Sequence, residues 1–145
     1  MSAQSELDAL FAVYEGYLEE YADRVVSNGP FHGLHKFLLG TSTPGDRKAD
    51  SAFYRAAEQA ASALAAAGPE PGEAARAVRY MILEADGADA PSRLMIEAAQ
   101  ALAIPLLAYV TAEDRFAIAA DYQARYPKKR MLTPRQRELA NELNK

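Results

Sequence analysis

Leu7, Leu10, Phe11, Tyr14, Leu18, Tyr21 and Val25 recur at steps of three and four residues, which sets them on one face of a helix. Glu15, Glu19, Glu20 and Asp23 fall on the other, solvated face. Ser5 is the expected cap, with Asp8 as its reciprocal partner three residues on. Asn28 and Gly29 suit a left-handed closing turn, and Pro30 cannot extend the helix. The pattern predicts a helix over residues 5–27.

The same period returns along the rest of the chain. Phe31 to Leu39 has the material for two turns, weakened by Gly33, and Gly40, Pro44 and Gly45 mark an irregular connection. Asp50 or Ser51 is the expected cap of a helix that runs to Gly68, with Pro69 beyond it. "PEPGEAARAVRYMILEADG" predicts a third long helix with Val78, Met81, Ile82 and Ala85 on its inner stripe, stopped by Gly87. Ser92, close to Pro91, opens the most apolar stretch, nearly free of charge after Glu97 and so expected to be buried on most sides. Pro105 inside it removes a backbone donor, which predicts a kink or a break.

Thr111, followed three residues later by Asp114, caps a helix that closes before Pro127. Thr133, Pro134 and Gln136 read as cap, first-turn proline and capping partner for a last short helix. No segment alternates in the manner of a strand. The expected fold is therefore all-α: one domain over residues 1–145, a compact bundle of six to seven helices. A largely buried helix near residues 92–109 is kinked or broken at Pro105.

Composition strengthens the helical reading, because alanine, the best helix former, is the most frequent residue. "EQAASALA" at 58–65 echoes "EAAQALA" at 97–103, but the wider signature of a helical-repeat family is missing. Cysteine is absent, which excludes disulfides, thiolate metal sites and thiol nucleophiles and fits a reducing cytoplasm. No leader pattern and no run of about 20 apolar residues is present, so the expected compartment is the cytoplasm, with no membrane partner.

Charge divides the chain. Residues 1–124 carry nine basic and eighteen acidic side chains, a net charge of −9, whereas residues 125–145 carry seven and two, a net of +5. The basic C-terminal segment includes Arg125, Lys128, Lys129, Arg130, Arg135 and Arg137. Such a cluster can neutralise nucleic-acid phosphates. The acidic body and the lack of a recognised motif leave nucleic acid as a weak alternative to solvation of a terminal segment, cation placement near the preceding helix's C-terminus, or docking on a neighbouring subunit's acidic body.

The chain has two histidines, His32 and His35, which share a face if that segment is helical. With no Cys and no third His, a metal would need a carboxylate, and none stands at a recruiting distance in the sequence. No metal and no cofactor is expected. A small-ligand pocket between the first helix and residues 30–48 remains a reading of this pair. In it His32 is a proton donor or acceptor, His35 its polar neighbour, and Lys36 or Arg47 an anion contact. Tyr14, Tyr17 and Tyr21 line one side of the first helix and are either core edge or the wall of that pocket.

Other constellations fail on chemistry. After Gly40 and Gly45 a phosphate loop needs Lys then Ser or Thr, but Asp46 and Arg47 follow, leaving only an anion reading ahead of a helix N-terminus. An EF-hand aligned on Gly87 would begin at Ile82 and end at Arg93, neither a carboxylate. No Gly-x-Ser-x-Gly elbow is present. No catalytic residue is assigned. The expectation is an interaction domain rather than an enzyme, acting on a protein partner or a second copy of itself. The alternatives are the His32/His35 pocket and weak nucleic-acid binding by the tail.

Overall fold

The computed structural model describes residues 3–28, 44–84, 101–125 and 134–145, with side chains described at 3–19, 51–84, 101–125, 134 and 136–145. Among these residues every regular element is helical and no strand occurs. The elements are α1 (Ala3–Asn28), α2 (Pro44–Ala66), α3 (Pro71–Arg79), α4 (101–106), α5 (Ala112–Arg125) and α6 (Pro134–Leu143). A π turn, Tyr80–Glu84, follows α3, and a 3-10 turn, Leu107–Tyr109, follows α4. The fold is an all-α compact bundle, as the spacing predicts.

Local chemistry accounts for several boundaries. Thr111 Oγ1 accepts the Asp114 backbone N–H at 3.1 Å, and the Thr111 carbonyl accepts that of Arg115 at 2.9 Å. Thr111 is thus the expected cap of α5. Gly68 takes φ +66, the left-handed stop that ends α2, and Pro69 beyond it is buried. At the start of α3 the Glu70 backbone N–H donates to Glu73 Oε1 at 3.0 Å, and Pro71 occupies the first helical position.

Two expected starts are corrected. Ser5 lies inside α1, which already includes Ala3, and Asp8 accepts a hydrogen bond from Gln4 Nε2 at 2.9 Å instead of serving a cap. α2 already includes Pro44, so neither Asp50 nor Ser51 is its cap. Proline has its φ preset for a helix and loses nothing in the first turn, where its N–H would be unpaired in any case. Residues 29–43, which include Gly29, Pro30 and Gly40, lie outside the described residues. The same holds for Ala85, Gly87, Ser92 and Thr133.

The core assembles from one stripe per helix. α1 contributes Leu7, Leu10, Tyr14 and Tyr17; α2 contributes Phe53, Ala57 and Leu64. Among the described residues these two form the most extensive helix pairing. α3 brings small side chains, Ala74, Ala77 and Val78, and touches α1, the 3-10 turn and α5. Met81 and Ile82 continue its stripe into the π turn, both fully buried as expected. Each such apolar side chain contributes roughly 1.5–3 kcal/mol by leaving water.

Residues 101–106 stay helical through Pro105, which is exposed, and give way to the 3-10 turn directly after Leu106. Leu102, Ala103, Leu106, Leu107 and Val110 are buried, so this part of the apolar segment does enter the core. α5 adds Ile118, Ala119 and Tyr122, and α6 packs on it with Leu139 and Leu143 buried.

Polar contacts tie these layers at their edges. Arg79 Nη1 meets Asp121 Oδ2 at 2.7 Å between α3 and α5. Arg125 Nη1 donates to the Leu83 carbonyl in the π turn. Arg115 Nη2 donates to the Leu107 carbonyl at 3.1 Å, and Tyr109 Oη to the Ala65 carbonyl at 3.0 Å. The last two bonds add a second donor to carbonyls that already accept a main-chain N–H, that of Val110 at Leu107 and that of Gly68 at Ala65.

Candidate functional site

Of the four residues singled out by sequence, His32, His35 and Lys36 lie outside the described residues. Arg47 lies inside α2. That corrects the expectation that Arg47 and Lys48 stand ahead of the helix, because the helix already includes Pro44. Among the described residues no three His, Asp or Glu side chains group as metal ligands, and no helix is long and apolar enough to cross a membrane.

Two of the three tyrosines of the α1 stripe, Tyr14 and Tyr17, make core contacts, and the Tyr21 side chain lies outside those described. Tyr14 is fully buried, edge-on to Phe53 at 5.0 Å between ring centroids and to Tyr80 at 5.6 Å. Tyr17 leans on Phe53 at 4.5 Å, and Phe11 on Tyr80 at the same spacing. Edge-to-face and tilted pairs let the positive ring edge meet the negative ring face. The Arg76 guanidinium covers Phe11 at 5.1 Å from the ring centre. Tyr14 and Tyr17 therefore serve the joint between α1, α2 and α3.

Tyr80 closes this joint from the third helix. It is half-buried at the start of the π turn. Burial pushes its hydroxyl above the ordinary tyrosine range, and the negative charges of Glu15 and Glu84 push it the same way. The phenol keeps its proton throughout the neutral range.

The outward side of α5 is different in kind. Ile118, Ala119 and Tyr122 mark its buried face. Phe116 is 62% exposed, and Ala117, Ala120 and Ala124 are exposed with it. Phe116, Ala120 and Ala124 stand at four-residue steps, one above the other along the helix. Glu113 and Gln123, also exposed, complete this stripe. The arrangement offers a phenyl ring beside a shallow run of methyl groups. It carries no convergent acid, base or nucleophile and is suited to packing against another surface.

Sequence reasoning passed over Phe116, although its signal is readable. Ile118 and Tyr122 fix the inward direction of α5, and Phe116 falls out of phase with both.

No protein-family model, curated protein or solved structure matches this chain.

Proposed function

We propose that this protein is an interaction domain whose working surface is the outer face of α5. The observation that carries the reading is the exposure of Phe116, 62% in the open, at the head of a stripe of exposed alanines. A large ring held on a rigid helix loses little conformational freedom on binding, so it is an efficient anchor for a partner. The surrounding alanines allow a partner's backbone to come close. The cysteine-free composition suits action in a reducing compartment such as the cytoplasm.

A photoreactive benzophenone side chain in place of Phe116 tests this reading. The control carries the same group at Glu58, an exposed position of α2. Covalent protein adducts are expected from position 116 well above those from position 58. Equal yields, or none from 116, overturn the proposal.

A further inference from the structure

We draw no further inference here: the strongest candidate, the exposed apolar patch of Phe116, Ala117, Ala120 and Ala124 on the outer face of α5, belongs to the surface already described, and nothing in the structure shows what covers it.

Discussion

Tyr14 stands edge-on to Phe53, with ring planes at 88° and centroids 5.0 Å apart, and this contact joins α1 to α2. Both side chains are buried. Phe53→Ala should cost about 3–5 kcal/mol, because it deletes a buried ring and leaves a cavity next to Tyr14 and Tyr17. Urea unfolding monitored by circular dichroism measures it. A loss below about 1 kcal/mol would mean that the α1–α2 joint does not rest on these rings.

Two glycines make a pair of opposite expectations. Gly16 is exposed inside α1, and an added methyl group would meet nothing within 4 Å. Gly16→Ala should stabilise the protein by about 1 kcal/mol through helix propensity. Gly68 also has open space around it, but its φ is +66. Gly68→Ala should destabilise by about 1–2 kcal/mol, the backbone cost of a left-handed L-residue. The same urea titration reads both, and equal signs would contradict the account.

The Thr111 cap predicts that Thr111→Ala costs about 1 kcal/mol, while Thr111→Ser retains most of the stability. Thermal unfolding of the two variants is the check. Equal melting temperatures for both would show that the hydroxyl to the Asp114 N–H contributes nothing.

Tyr80 predicts a loss of stability in alkali. Its folded pKa is raised by burial and by Glu15 and Glu84. The unfolded chain thus releases this proton first as pH climbs past the ordinary tyrosine value near 10. Stability from Tyr80 is whole below that value and is lost as pH rises through the higher folded pKa. Tyr80→Phe should flatten the fall in urea midpoint above pH 10. The phenolate absorbance of wild type minus Tyr80→Phe should show a transition displaced to high pH. A difference titration at or below the ordinary value would contradict the assignment.

These elements also show what a linear sequence discloses. Thr111, Gly68 and the stripe Val78, Met81, Ile82 were readable because each acts over one or two helical turns. The early part of α2 was not, since Pro44 and Gly45 resemble a break until the helix is seen to include them. The meeting of Tyr14 with Phe53 and Tyr80 is set by how three helices pack, which spacing within one helix does not contain. Nothing local distinguishes Tyr80–Glu84 from an ordinary turn; its π form accompanies contacts of this segment with α5. The histidine pair lies outside the described residues, so its part of the reading stays where sequence left it. Phe116 was legible in principle, from the phase of Ile118 and Tyr122, once α5 had been placed.

Photo-crosslinking from a benzophenone side chain at position 116, against the same group at Glu58, tests the central claim most directly. An interaction surface on the outer face of α5 predicts covalent protein adducts from position 116 well above those from position 58. Equal yields from the two positions, or none from position 116, would contradict the account.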